Sequence, residues 1–544
     1  MISEVILFIS LIISTIMEIA SALNAVQGEE MIEANLKQFL LVLSISLGVA
    51  TLPQVFSWLR QIPYTLLLVI VGLGLAFIDV RLADLSPELI LSIFLPPLLF
   101  EAAWNLKWSE LKRNLVPISL YAVFGVVISV VGVALGLNQL AGLTLTTALL
   151  LGASLSATDP VSVIALFREL GVGSRLSTVM EGESLFNDGM AVVAFEFLVA
   201  SSLGTIEPTL QTTLIQFIQV VGVGLAVGGL LGFGISFLTQ RFDLPLVEQS
   251  LTLVSAYGSY LLAEEFGGSG VISAVITGLI LGNFGSRIGM NPRTRIIVTE
   301  FWEFLAFFVN SIIFLLIGDQ VRYTNLVGNL GIIAIAIGGM IVTRAISVYG
   351  LGKLSNVITE TDLSLGEQTV LWWGGLRGSV SIALALSVPT QLPERDMIIS
   401  TVFGVVLFTL LVQGLTIKPL LQKLNLLGDQ PLRQQYSESV ARLAALQRVL
   451  EYLQTIDDRP GIEPDFYRYQ EALLKGEISR LETEIDKLQS SYPNLRDYIT
   501  DQLREELLSV EANTYAELVQ TGRLNRELAP FLQQTAEGNG TLQA

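Results

Sequence analysis

The sequence predicts an all-α polytopic membrane protein with about 13 spans, two of them interrupted, followed by a cytoplasmic helical tail. Three observations carry that expectation. Of 544 residues, 52% are hydrophobic and 15% charged, with a mean hydropathy of +0.63, too apolar for a soluble chain of this length. Runs of roughly 20 apolar residues, the length a helix needs to cross a bilayer, recur until about residue 425. Two of these runs are broken beside a charged residue, one at Asp159-Pro160 and one at Gly374-Gly375-Leu376-Arg377-Gly378. In lipid every backbone polar group needs an internal partner, so the spans are helices and not open strands.

Taken in order, the first run, Val5 to Ala22, reads either as a signal or as an extra helix. Ala20-Ser21-Ala22 fits a small-residue cleavage site, yet no Lys or Arg precedes it, as a secretory signal normally requires. With the loop after it, this run forms an N-terminal segment over 1–37. The membrane domain covers 38–425. Its spans lie near 38–59, 63–79, 88–104, 115–137, 143–167, 177–201, 212–239, 246–264, 268–283, 298–318, 328–351, 366–390 and 397–420. The loops test this division. Odd-numbered gaps hold Arg60; Lys107, Lys112 and Arg113; Arg168 and Arg175; Arg241; Arg287, Arg293 and Arg295; and Lys353, while Lys418 and Lys423 mark the final exit. Even-numbered gaps hold only Arg81, Arg322 and Arg395 among basic residues. This is the positive-inside alternation, and it puts the C-terminus in the cytoplasm.

A tail over 426–544 changes character. Val440, Leu443, Leu446, Leu450 and Leu453 recur at helical spacing, as do Ile478, Leu481, Ile485 and Leu488, so amphipathic helices paired as a coiled coil are expected. The formal charge of −18 argues against nucleic acid as a partner. With no Cys there is no disulfide or thiolate metal site, and with no His any response to pH near neutrality falls to carboxylates, lysines or a terminus. No cofactor is expected.

The chemistry should sit at the breaks and on the span between them. Proline removes an N–H and clashes with the preceding turn, so the helix opens at Ser156-Ala157-Thr158-Asp159-Pro160. Three glycines, each costing about 1 kcal/mol in a helix, open Trp373 to Ser379. Interrupted helices in two halves of a chain point to the binding site of an inverted-repeat transporter. Asp159 and Arg377 are the groups to compensate the exposed helix ends; Asp159 is either an ion ligand or scaffold. The span Leu176 to Ala200 carries Glu181, Glu183, Asn187, Asp188 and Glu196 at membrane depth, where ionisable groups survive only facing protein or water. Asp188 lies mid-span, with Ser184 one turn before it and no Lys or Arg within a turn. A buried acid of this kind holds either a proton or a hard cation, and the two exclude each other. Hydroxyls of Thr158 and Ser184, the carboxylate of Glu101 and opened-helix carbonyls supply the oxygen ligands such a cation favours. Glu101 is alternatively an interfacial acid near the cytoplasmic end of its span. Glu183 pairs with Arg377, since a buried arginine requires a partner, and Glu303 pairs with Arg344.

In this order, FLPPLLFEAAW, GASLSATDPVSVIALFRELG, EGESLFNDG, FWEFLAFFVNSIIFLLIG and WWGGLRGSVSIALALS resemble the monovalent cation:proton antiporters of the sodium/proton exchanger type, NhaP branch, over about residues 38–425. The tail resembles that of cyanobacterial members. The resemblance implies inverted repeats, two crossed and unwound helices in a core domain, and a second domain forming a homodimer interface. It implies that Asn187-Asp188 is the family's Asn-Asp motif, that Asp188 exchanges Na+ for H+ with help from Thr158, Ser184 and Glu101, that Asp159 stabilises the crossing, and that Glu183 bonds to Arg377. The relatives with Asp-Asp at this place are electrogenic, so Asn187-Asp188 fits electroneutral exchange. The partners implied are Na+, H+ and membrane lipid, with Li+ or K+ open as the cation; a passive cation channel is the reading from another class. The plasma (inner) membrane is the expected location, an internal membrane staying open.

Overall fold

The computed structural model describes residues 30–491 except 57–58, 60–61, 79–81, 83–84, 205–209, 240–243, 287–289, 291, 360–362, 393, 428–429 and 456–463, with scattered positions from 503 to 523. The run Val5 to Ala22, the loop arginines Arg60, Arg81, Arg241 and Arg287, and the end of the tail lie outside the described residues. The described residues form helices and no strand, and the chain divides near Leu426 into two compact units.

In the membrane unit the main helices are α1 Glu30–Val55, α2 Tyr64–Phe77, α3 Leu89–Asn105, α4 Leu115–Ala141, α5 Leu145–Ser154, α6 Val161–Leu170, α7 Ser174–Ser202, α8 Leu210–Thr239, α9 Pro245–Glu265, α10 Gly270–Gly285, α11 Pro292–Asp319, α12 Leu330–Ile358, α13 Leu365–Trp373, α14 Ser379–Leu386 and α15 Arg395–Lys423, with short connecting helices over Trp108–Arg113 and Tyr323–Gly328. A helix, or a pair of half-helices, therefore lies over each expected span. Six of the described helices are long and apolar enough to cross a membrane; others, such as α2, α3, α5 and α10, are apolar but shorter.

Local chemistry sets the boundaries. Thr144 caps α5 by accepting from the Thr147 N–H, and Ser269 caps α10 through the Ile272 N–H. Ser364 and Glu367 form a reciprocal capping box at the start of α13. Gly142 ends α4 in the left-handed region, at φ 69°.

Two bundles emerge from the packing. In the first, α2 crosses α11, α3 packs on α10 and α11, and α8 and α9 flank α10. The α2–α11 crossing brings backbone onto backbone: a Cβ on Gly72 would strike the Leu315 carbonyl, and one on Gly318 the Val69 carbonyl. Lipid supplies no hydrophobic drive between helices, and small residues let them approach closely enough for dispersion to hold them. Phe100, Trp104 and Trp302 fill the same bundle, with Phe100 and Trp302 ring centroids 4.4 Å apart. In the second bundle, α4 packs on α5 and α12, α7 on α5, and α15 on α12 and α14. Its order runs long helix, broken helix, long helix (α4, α5/α6, α7) and then again (α12, α13/α14, α15), the arrangement a repeat would leave. The bundles meet where α7 touches α10 and α14 approaches α3. Among the described residues, a buried hydrogen bond joins them: the hydroxyls of Thr65 on α2 and Ser162 on α6 lie 2.7 Å apart.

The tail unit is a helical hairpin of α16 Gln430–Thr455 and α17 Pro464–Ser491. Tyr436, Ile485 and Leu488 are buried together with Leu443 against them. Alternating steps of three and four residues continue this seam through Leu446, Leu450 and Leu453, facing Leu474, Ile478 and Leu481. Val440 stands off the seam; Tyr436 and Ser439 fill the places next to it.

Candidate ion-binding site

The site is assembled where the two broken helices cross. Between α5 and α6, residues 155–160 leave helical geometry because Pro160 cannot continue the hydrogen-bond ladder. Between α13 and α14, residues 374–378 do the same through their glycines. Unpaired backbone groups at membrane depth would each cost several kcal/mol, and several of those that the breaks free have a side-chain or cross-break partner. The Thr158 N–H donates to Asn187 Oδ1 (3.2 Å), and Asn187 Nδ2 donates back to Thr158 Oγ1 (2.6 Å). Ser184 Oγ donates to the Thr158 carbonyl. The Asp159 N–H donates across the crossing to the Leu376 carbonyl (2.8 Å). Arg377, with no exposure at all, donates through Nη1 to the carbonyls of Ala157 (3.1 Å) and Ser156 (3.4 Å), while Ser381 Oγ also reaches the Ala157 carbonyl. The Arg377 N–H donates to Thr409 Oγ1 (3.0 Å).

Charges follow helix polarity. Asp159 Oδ1 accepts from the Val161 N–H (3.0 Å) at the start of α6, and its other oxygen lies against Gly378, which precedes α14. A carboxylate thus faces two helix N-termini, and a guanidinium faces the carbonyls after α5, each opposite in sign to the partial charge it meets. Gly378 is glycine for want of room, because a Cβ there would overlap the Asp159 carboxylate. Overpacking costs about 1–3 kcal/mol, so Gly378→Ala should lower the thermal midpoint and slow ion exchange about tenfold. A variant that exchanges at the wild-type rate would show that Asp159 is free to move.

Asp188 is 8% exposed, and its Oδ1 is buried with no hydrogen-bond partner. It follows Asn187 and lies one turn beyond Ser184, both fastened to Thr158. Hydroxyl and carbonyl oxygens that already share one hydrogen bond keep a lone pair for a cation. The arrangement offers an acid oxygen left open beside neutral oxygens already held in place, suited to a hard monovalent cation or a proton.

Of the residues expected from the sequence, Thr158, Asp159, Ser184, Asn187, Asp188 and Arg377 come together here. Glu101 stands apart. It accepts from Asn105 one turn along α3 (2.6 Å), and the charges that act on it include Arg168, Glu181 and Glu303. No hydrogen bond among the described residues joins it to Thr158, Ser184 or Asp188. Two expected pairs are corrected. Glu183 does not bond to Arg377, and Arg344 does not bond to Glu303: Glu183 and Arg344 bond to each other through both carboxylate oxygens, at 2.9 and 3.2 Å. Helix geometry gives the reason. Asp188 lies five positions beyond Glu183, which turns them about 140° apart on α7, so Glu183 faces away from Asp188 and meets Arg344 beside the second break. Arg344 also donates to the carbonyls of Leu371 and Trp372 at the end of α13 and lies across Gly375. Thr409 and Ser381 are contributors that the sequence reading missed.

Residues 42–423 match the transmembrane sodium/hydrogen exchanger family. The chain is 63% identical to the Na(+)/H(+) antiporter ApNhaP of Aphanothece halophytica over 94% of this chain and 98% of that protein. It is 57% identical to the low-affinity Na(+)/H(+) antiporter NhaS1 of Synechocystis over 95% and 98%. Among solved structures, its fold is similar to that of the sodium proton antiporter MjNhaP1 from Methanocaldococcus jannaschii, with a TM-score of 0.60 and 22% identity over 72% of this chain and 99% of that one.

Proposed function

The chain belongs to the sodium/hydrogen exchanger family, and from that premise we propose that it exchanges sodium for protons across a membrane by alternating access, each ion occupying Asp188 in turn. The observation that carries this reading is the partnerless, buried Oδ1 of Asp188 at the crossing of two broken helices. Sodium held there is exchanged for a proton because the carboxylate cannot serve both. Thr158 and Ser184 supply neutral oxygens, Asn187 holds Thr158 in position, and Asp159 with Arg377 neutralises the helix ends without meeting the ion. Glu101, joined to none of these by a hydrogen bond among the described residues, belongs to the approach from the cytoplasmic side. Movement of the second bundle against the first opens Asp188 to each side in turn, and the Thr65–Ser162 bond breaks and re-forms as it does so. No nucleotide is required; the ion gradients drive the cycle.

One carboxylate exchanging one sodium for one proton gives electroneutral transport. Both relatives are named for sodium, which weighs against potassium as the principal cation. A homodimer in the inner membrane, with the helical tail in the cytoplasm as a regulatory appendage, belongs to the same reading. Its support is the resemblance and the basic loops.

The test is made in proteoliposomes carrying a pH-sensitive dye. Sodium added outside should alkalinise the lumen, at a rate that ignores an imposed membrane potential. Sodium entry without proton exit would mean a channel and end the proposal. A chain stopping at Leu427 should keep the exchange, with at most its dependence on pH changed; loss of transport from a correctly inserted protein would move function into the tail.

A further inference from the structure

The backbone ledger of the crossing contains a symmetry that the ion site alone does not explain. At the first break, the Thr158 N–H is taken by a side chain of α7, the unbroken helix that follows: Asn187 Oδ1, 29 residues on. At the second break, the Arg377 N–H is taken by a side chain of α15, the unbroken helix that follows there: Thr409 Oγ1, 32 residues on. The same place in the order long, broken, long is thus filled twice, once by the residue beside the ion-binding acid and once by a residue with no ion near it. Thr409 is fully buried and donates its own proton to the Val406 carbonyl, so its oxygen lone pair is aimed at Arg377.

Its setting on α15 is unusual. Residues Thr409–Gln413 form a π-helical turn inside an otherwise α-helical span, a feature that tends to occur at functional positions. Just after this turn, Gly414 packs near Leu376 and Leu66. Leu376 in turn accepts the Asp159 N–H, and Arg377 holds the carbonyls of Ser156 and Ala157, the residues just before Thr158. A contact on α15 therefore reaches the sodium site through two residues of one break.

We propose that Thr409 is a positioning residue for the ion site: by accepting the Arg377 N–H it fixes the second break as Asn187 fixes the first, and so keeps Asp159 against the helix ends and holds Thr158 where Asp188 can share an ion with it. The proposal rests on the exchange reading above. Thr409→Val keeps the shape and removes the acceptor, leaving a buried N–H unpaired. Thr409→Ser keeps the acceptor.

Purified wild type and variants are compared in proteoliposomes, with sodium KM, maximal rate and the pH profile measured for each. For valine the sodium KM should rise about tenfold, the size of one lost buried hydrogen bond, and the pH profile should move, with serine restoring both. A merely structural role would lower the amount of folded protein and leave KM and pH profile alone; that result, or a valine protein matching wild type, overturns the proposal. If the valine protein is not recovered folded, Thr409→Cys carries the test, since a thiol is a weak acceptor of similar size. A raised KM is then required, and a wild-type KM and pH profile refutes the assignment. Wild type in the same vesicles keeps the two claims apart: absence of exchange there refutes the function, whereas normal exchange beside an unaffected variant refutes only the role of Thr409.

Discussion

Asp188→Asn should leave a protein that inserts and folds but no longer exchanges sodium for protons. The two side chains have nearly the same shape, so neither the fastening of Thr158 by Asn187 and Ser184 nor the helix-end charges at Asp159 and Arg377 is disturbed. What disappears is the carboxylate proposed to carry either a proton or a cation. A sodium ion brought to membrane depth without a counter-charge costs a few kcal/mol or more, so turnover should fall by at least about 100-fold. Stability should move the other way or not at all, because the substitution removes a buried acid oxygen that has no partner. The thermal midpoint of the asparagine protein should therefore equal or exceed that of wild type. Competition also fixes the sign of the pH response in the unaltered protein. Protons displace sodium, so the apparent sodium KM rises as the solution is acidified. Normal antiport from the asparagine protein, or a sodium KM indifferent to acidity, would sink the assignment.

The residues legible in the sequence were those whose role depends on chain neighbours. Pro160 breaks its own helix, Gly374, Gly375 and Gly378 break theirs, and Ser184 lies one turn from Asp188 because of helix pitch alone. The apolar runs announced their helices for the same reason. Residues whose role depends on distant partners were not legible. Glu183 and Arg344 are 161 positions apart, and every buried acid in the chain was an equally good partner until the rotation of α7 was known. Thr409 looked like one more small polar residue in an apolar span, since nothing local says that a backbone N–H at 377 needs its hydroxyl. Glu101 shows a third case. Its motif suggested an ion ligand, while the packing of α3 on α10 and α11 leaves it bonded to Asn105, with Arg168, Glu181 and Glu303 as the charges that act on it. In the tail, the seam was readable from its spacing, except that Ser439 and not Val440 takes the place between Tyr436 and Leu443, because a heptad tolerates only one register.

Arg344→Met should be the most destabilising single change in the second bundle, and far worse than Glu183→Gln, although the two residues share one ion pair. The asymmetry comes from what each leaves behind. Removing the guanidinium strands the Glu183 carboxylate and deprives the Leu371 and Trp372 carbonyls of donors at the end of α13, all away from water. Breaking a buried pair from one side costs about 3–5 kcal/mol. Glu183→Gln removes the charge but keeps an oxygen that accepts from Arg344, and the guanidinium retains its carbonyl partners. Pairing Arg344→Met with Glu183→Leu should recover part of the loss, because two apolar side chains leave no stranded charge even though the α13 carbonyls stay unpaired. Thermal melting of detergent-purified wild type, Arg344→Met, Glu183→Leu and their double variant, with Glu183→Gln beside them and size-exclusion chromatography after, measures all four corners of the cycle. Equal losses for methionine and glutamine, or a double variant no better than Arg344→Met, would mean that Arg344 acts through bulk and not through its bonds. That outcome would also detach α13 from α7, because Arg344 on α12 is the side chain through which the end of one half-helix is tied to the helix bearing Asp188.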